Sequence, residues 1–148
     1  MNELASIVLA IFSLISPGLE HTRDAPLVAP AIAAAVASDP LPPVYGSREE
    51  DAAVAAYWAF RESSLDNRAV GDGGRSFGIW QQRVCGRSPI ATQAACWVAL
   101  LHEGQKRCAE PSAIMWGICD GATAKLAAQR VAKARSLLAR VTGAEGRE

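Results

Sequence analysis

Residues 47–63 read Ser47-Arg48-Glu49-Glu50-Asp51-Ala52-Ala53-Val54-Ala55-Ala56-Tyr57-Trp58-Ala59-Phe60-Arg61-Glu62-Ser63. Ser47 followed three residues later by Glu50 is a capping box. The hydroxyl accepts an N–H of the first helical turn, and the glutamate reaches back to the cap. Glu49, Glu50 and Asp51 also put negative charge at the positive end of the helix dipole. From Ala52 to Phe60 the segment is apolar on every side, the pattern of a helix buried in the middle of a domain. It closes on a carboxyl, Glu62, and opens into a polar, glycine-rich stretch.

That stretch gathers Asp66, Asn67, Gly71, Asp72, Gly73 and Gly74 as a loop. Ser76-Phe77-Gly78-Ile79-Trp80-Gln81-Gln82 follows, short and apolar, either a turn of helix or a short strand. Pro89 opens a second long helix over 89–104, with Ala94, Trp97, Val98 and Leu101 at helical spacing. Pro111 starts a short helix over 111–117. The last helix spans 122–141, with Ala127, Val131, Ala134, Leu138 and Val141 on one stripe. Lys125, Arg130, Lys133, Arg135 and Arg140 cover the rest of that helix and read as a solvated face rather than a nucleic-acid patch.

On the N-terminal side, Leu4 to Ile15 is an almost unbroken apolar run stopped by Pro17-Gly18. It is too short for an ordinary membrane-spanning helix. Its length suits the apolar region of a signal peptide, although Glu3 stands where a basic residue is expected. A misassigned start codon and a plain hydrophobic helix are the other readings. Residues 19–46 carry Pro26, Pro30, Pro40, Pro42 and Pro43 and read as a linker with one short helix at Ala31–Ala37. The expected division is therefore a hydrophobic segment at 1–18, a Pro/Ala-rich linker at 19–46 and a domain at 47–148.

The chain has 148 residues with 15 basic and 15 acidic groups, so zero net charge gives no whole-chain case for nucleic acid. Half of it is hydrophobic, which argues against charge-rich disorder. The sum conceals an asymmetry: Arg23 faces Glu3, Glu20, Asp24 and Asp39 before residue 47, leaving the remainder mildly basic. Cys85, Cys96, Cys108 and Cys119 cluster without any C-x-x-C pair, and His21 and His102 lack metal-ligand spacing. Two disulfides, and hence an oxidising compartment, fit this better than zinc. Three pairings are open; pairing in order closes two equal short loops. No cofactor is expected.

Glu62 is the candidate for chemistry. A carboxyl at the end of an apolar helix is partly desolvated, and desolvation raises its pKa toward what a general acid needs. A surface glutamate at a helix end is the plainer reading, and local chemistry does not separate the two. The wider pattern does. Glu62-Ser63-Ser64-Leu65-Asp66-Asn67-Arg68-Ala69-Val70, followed by Gly74-Arg75-Ser76-Phe77-Gly78-Ile79-Trp80-Gln81, resembles the first two motifs of soluble lytic transglycosylases and other lysozyme-like domains. In that family a helix ends in Glu-Ser, and a Gly-x-x-Gly-Leu-Met-Gln stretch follows. Here one more residue separates the glycines.

The resemblance implies a mainly α, small lysozyme-like domain with a Gly-rich loop after its catalytic helix, stapled by disulfides. It implies Glu62 as the single acid/base, with Ser63, Gly78, Ile79 and Gln81 binding glycan. Trp116 stands where the family's third motif carries a Tyr. An indole offers only an N–H donor, so Trp116 is a substituted contact, a stacking platform or core. The implied substrate is the peptidoglycan glycan strand, cut between N-acetylmuramic acid and N-acetylglucosamine. A hydrolase is the alternative, with Asp66 or Asp72 as a second carboxylate. So is a non-catalytic lysozyme-fold module for glycan binding or structure. The expected setting is exported, periplasmic or extracellular, beside envelope-spanning machinery or on a phage particle.

Overall fold

The computed structural model describes residues 2–143. Helix α1 (Glu3–Ile15) begins at Asn2, whose Oδ1 accepts the Ala5 N–H at 2.8 Å. A 3₁₀ turn at Leu19–His21 leads to α2 (Ala25–Ala37). Helix α3 (Arg48–Ser63) is followed by a two-stranded antiparallel hairpin, β1 (Val70–Gly71) and β2 (Ser76–Phe77), with Val70 opposite Phe77. Helix α4 (Ile90–Arg107), a 3₁₀ turn at Pro111–Trp116 and α5 (Gly121–Thr142) complete the order. The described chain is mainly helical and carries two disulfides, as expected.

Helix α3 forms where its sequence says it should. Ser47 Oγ accepts the Glu50 N–H at 3.1 Å. Every residue from Asp51 to Ala59 is buried, so the helix is enclosed on all sides. Helices α1, α2 and α5 pack around it, and α4 packs on α2 and on the Pro111–Trp116 turn. Helix α3 stops at Ser64, which adopts a left-handed backbone with φ 53° and releases the chain toward the hairpin. Among the described residues no helix is long and apolar enough to cross a membrane.

The expected linker at 19–46 is the main correction. Its core is a 13-residue helix, α2, with Val28, Ala29, Ile32, Ala33 and Val36 buried. Pro26 sits in the first turn, where its missing N–H costs nothing. Pro30 lies inside the helix, one turn further along the same face, and both prolines are exposed. The missing hydrogen bond and the clash that a proline causes thus fall on the solvent side, and the buried side supplies the stabilisation. Residues 39–46 do run without regular structure, but they are strapped down. Asp39 pairs with buried His102, and Asp51 accepts the N–H groups of Val44 (2.9 Å) and Tyr45 (2.8 Å). No boundary falls at Tyr45–Gly46, since Tyr45 is buried and its hydroxyl donates to Glu110 at 2.6 Å.

Helix α1 belongs to the same core. Val8, Ile11 and Phe12 have no exposed surface, and the helix touches α2, α3 and α5. Fully burying three such side chains is worth about 6 kcal/mol, near the whole net stability of a small domain.

Candidate functional site

Glu62 occupies the last turn of α3 and lines an open cleft of about 1120 Å³. Beside it a cation sits over a pair of packed aromatic rings. The Arg130 guanidinium carbon is 4.6 Å from the Trp58 ring centroid and 4.7 Å from that of Trp116. The two indoles are themselves 5.0 Å apart. From this cage Arg130 Nη1 approaches Glu62 Oε2 at 3.6 Å, with the two side chains 14% and 20% exposed. Burial lowers the Arg130 pKa from its ordinary value, and the Glu62 charge pulls it back up. The spacing explains the cluster: Trp58 and Glu62 are i and i+4 on α3, and Arg130 comes from the facing side of α5.

The hairpin that faces Glu62 is fixed from α4 by one side chain. Gln93 is fully buried. Its Oε1 accepts the Ile79 N–H at 2.9 Å, and its Nε2 donates to Asn67 Oδ1 (2.7 Å) and to the Ser88 carbonyl (2.9 Å). The approach demands glycine at 78. Gly78 has φ +80°, and a Cβ there would lie 2.4 Å from Gln93 Oε1 and 2.4 Å from the Gly86 carbonyl. Trp80 donates its indole N–H to the Ala55 carbonyl at 3.0 Å, which ties the hairpin exit back to α3. Ser63 closes the same joint, with its Oγ 2.7 Å from the Ile79 carbonyl and 3.1 Å from that of Ala59.

The cleft's two far walls are each closed by a disulfide. Cys85–Cys96 joins the Arg83–Cys85 segment to α4, and both cysteines line the cleft. Cys108–Cys119 closes the loop that carries Ile114, Met115, Trp116 and Gly117, which form the opposite wall. The sequential pairing is thus the one adopted. Each staple restricts an 11-residue separation, worth roughly 2–3 kcal/mol through the unfolded chain.

The expected residues divide into two sets. Glu62, Gln81 and Trp116 line the cleft together. Ser63, Gly78 and Ile79 do not line it; they hold the hairpin against α3 and α4. Gln81 is largely committed to that task too, because its Nε2 donates to the Ala69 and Gly78 carbonyls, both at 3.0 Å. Of the two acidic candidates, Asp72 lines the cleft and accepts from buried Ser76 Oγ at 2.6 Å. Asp66 lies in a separate hollow of about 300 Å³, paired with Arg68 and Arg23. There Arg68 is the main cause of its lowered pKa. Ile79 packs in the core rather than in the cleft, and Phe77 is half-buried beneath Arg87, whose guanidinium is 3.9 Å from the ring centroid.

Sequence reasoning passed over Gln93 and misplaced Arg130. Gln93 is the one polar residue on the stripe it shares with Trp97 and Leu101, and that break in pattern was the available signal. Lys125, Lys133 and Arg140 are exposed as expected of a solvated face, but Arg130 is not, and Arg135 bridges to Glu50 at 2.7 Å. Leu100 and Glu103 on the outer face of α4 also reach the cleft. Among the described residues, no three His, Cys, Asp or Glu side chains are gathered as a metal site.

Comparison with protein-family models, with curated proteins and with solved structures gives no match to this chain.

Proposed function

We propose that the Glu62 cleft binds a peptidoglycan glycan strand and cuts it between N-acetylmuramic acid and N-acetylglucosamine, as a lytic transglycosylase. The observation that carries this is a single one. The carboxyl at the end of the buried helix lines an open cleft with Trp116 and Gln81, and Arg130 lies 3.6 Å from it as an ion-pair partner. Protonated Glu62 gives its proton to the glycosidic oxygen, and the bond from that oxygen to the muramyl anomeric carbon breaks. The carboxylate then takes the proton of the muramyl 6-hydroxyl as that oxygen bonds to the anomeric carbon. A 1,6-anhydro end results, and Glu62 is again protonated. For the first step the Arg130 pair must loosen. Trp116 lines the cleft and stacks on the same guanidinium, so glycan entry is coupled to that loosening.

A second reading rests on Asp72. It shares the cleft with Glu62 and accepts from Ser76, and in this reading it activates a water in a two-carboxylate hydrolysis. The products differ by one water, and mass spectrometry of released muropeptides separates them. The test is digestion of purified sacculi by the oxidised protein. Wild type should release muropeptides, and Glu62→Gln should not, with its helical circular dichroism retained. Binding of sacculi without any release would instead support a non-catalytic glycan-binding module. The two disulfides favour an oxidising site of action, and the wall itself lies outside the cytoplasm. Export, or carriage on a phage particle, and work beside an envelope-spanning machine belong to the same proposal; nucleic acid does not.

A further inference from the structure

The two disulfides differ in what else holds the wall that each one closes. The segment Arg83–Cys85 is anchored only at its ends. Before it, Gln82 and Phe77 exchange backbone hydrogen bonds at 3.0 and 3.1 Å. After it, Gly86 is buried so tightly that a Cβ would lie 2.2 Å from the Gln82 carbonyl oxygen and 2.3 Å from that of Phe77. Between these anchors Arg83 is exposed and Val84 is 93% exposed. Among the described residues no hydrogen bond or salt bridge joins Arg83, Val84 or Cys85 to α4, so the Cys85–Cys96 bond is the one such tie. The opposite wall has others. Glu110 accepts the Tyr45 hydroxyl at 2.6 Å, the Ser112 N–H at 2.9 Å and the Ser112 hydroxyl at 2.7 Å, and Ala113 and Ile114 are buried.

The two pairs differ in reactivity for a second reason. Cys85 and Cys96 are both half-buried and both line the open cleft. Arg83 and Arg87 stand two positions to either side of Cys85, and the sequence holds no acidic residue from 73 to 102. A cationic, partly exposed setting favours the thiolate and speeds its departure. Cys108 is 7% exposed and sits at the C-terminal cap of α4, where burial and the helix dipole both oppose a thiolate. We infer that Cys85–Cys96 is a redox-sensitive latch on the cleft wall, opened by a dithiol, and that Cys108–Cys119 is a static staple. A thiolate of the dithiol attacks Cys96 Sγ; the mixed disulfide forms as the Cys85–Cys96 bond breaks, and Cys85 leaves as a thiolate that takes up a proton. The second thiolate of the reductant attacks the mixed disulfide, Cys96 leaves in the same way, and the reductant ends as its own disulfide. Two electrons and two protons pass from the dithiol to the protein. The Arg83–Cys85 segment is then free to leave α4, while its end anchors and the opposite wall stay. The wall is complete in an oxidising compartment and open in a reducing one. The latch does not depend on what the cleft binds.

The test adds dithiothreitol to the oxidised full chain, quenches with N-ethylmaleimide and maps the labelled cysteines by mass spectrometry. Cys85 and Cys96 should be labelled roughly tenfold faster than Cys108 and Cys119, which leaves a singly reduced species. A variant with Cys85→Ser and Cys96→Ser supplies the open state without reductant. Its backbone order parameters at Arg83, Val84 and Cys85→Ser, read by nuclear magnetic resonance, should fall below about 0.6, while those of Ala113 and Ile114 stay in the rigid range. Where that variant does not fold, the capped singly reduced chain is measured in its place. Equal labelling rates, or earlier labelling of Cys108 and Cys119, overturn the inference. So do unchanged order parameters at residues 83–85, or a loss of order that extends through α3. Where the oxidised chain digests sacculi, the singly reduced chain should release muropeptides severalfold more slowly, and equal release overturns the latch as a control of the site. Absence of digestion by the oxidised chain counts against the proposed activity and leaves the latch to the labelling and order-parameter results.

Discussion

Replacing Gln93 by Leu keeps the side-chain volume nearly constant and deletes three hydrogen bonds at one stroke. The Ile79 N–H loses its partner at 2.9 Å inside a fully buried residue, so no water replaces it. An orphaned buried donor costs about 2 kcal/mol. Asn67 Oδ1 and the Ser88 carbonyl lose the Nε2 donor at 2.7 and 2.9 Å. Each is half-buried, partly reachable by water, and worth about 1 kcal/mol. The expected loss is about 4 kcal/mol. For a chain of 148 residues the unfolding entropy near the midpoint is about 0.3 kcal/mol per kelvin. Gln93→Leu should therefore lower Tm by about 13 °C, measured by far-ultraviolet circular dichroism on the oxidised protein. Because the lost bonds hold the hairpin opposite Glu62, any glycan cleavage should fall with it even well below Tm. A Tm drop of less than about 3 °C would refute the claim that one amide ties α4 to the hairpin.

Three further outcomes follow from other parts of the fold. Deleting residues 1–18 removes Val8, Ile11 and Phe12 from the core, so the shortened chain should show no cooperative thermal transition. Treatment with a dithiol should speed tryptic cleavage after the already exposed Arg83 and Arg87 before any site in α3 or α5 is cut, as read by peptide mapping, because the Cys85–Cys96 staple holds that segment rigid. Asp24 has a lowered pKa, chiefly through its hydrogen bond from Arg23 and then through the Asn67 N–H, with burial opposing. A group depressed on folding stabilises the protein above its unfolded value and loses that contribution as pH falls through the folded one. Asp24→Asn should therefore flatten the decline in Tm below roughly pH 5, with little pH dependence of its effect above that.

The elements that were legible in the sequence are those whose local signals agree with their burial. Ser47 and Glu50 announced the start of α3, the run Ala52–Phe60 announced its enclosure, and the stripe from Ala127 to Val141 announced α5. The spacing of four cysteines announced two staples but not which pairing. Helix α2 was not legible, because Pro30 argues against a helix interior locally. Its placement on the solvent face is a tertiary fact that no window of residues contains. The site was half legible for the same reason. Glu62 and Trp116 are 54 positions apart and meet in the cleft only because α3 and the Pro111–Trp116 turn fold against α5. Arg130 looked like its basic neighbours on α5 until α3 gave it an indole and a carboxylate and the Pro111–Trp116 turn gave it a second indole.

That last contact also sets a timetable. Every residue that lines the cleft falls between positions 62 and 117, yet the helices that hold them come from both ends of the chain. Arg130, the cation behind Glu62, arrives on α5. A chain emerging from the ribosome at about 5–20 residues per second therefore exposes the whole cleft sequence before the helix that completes it exists. During that interval Glu62 lacks its counter-charge, and Trp58 and Trp116 lack the guanidinium that covers them both. The arrangement behind Glu62 therefore forms only once α5 has docked, because α5 alone carries that cation.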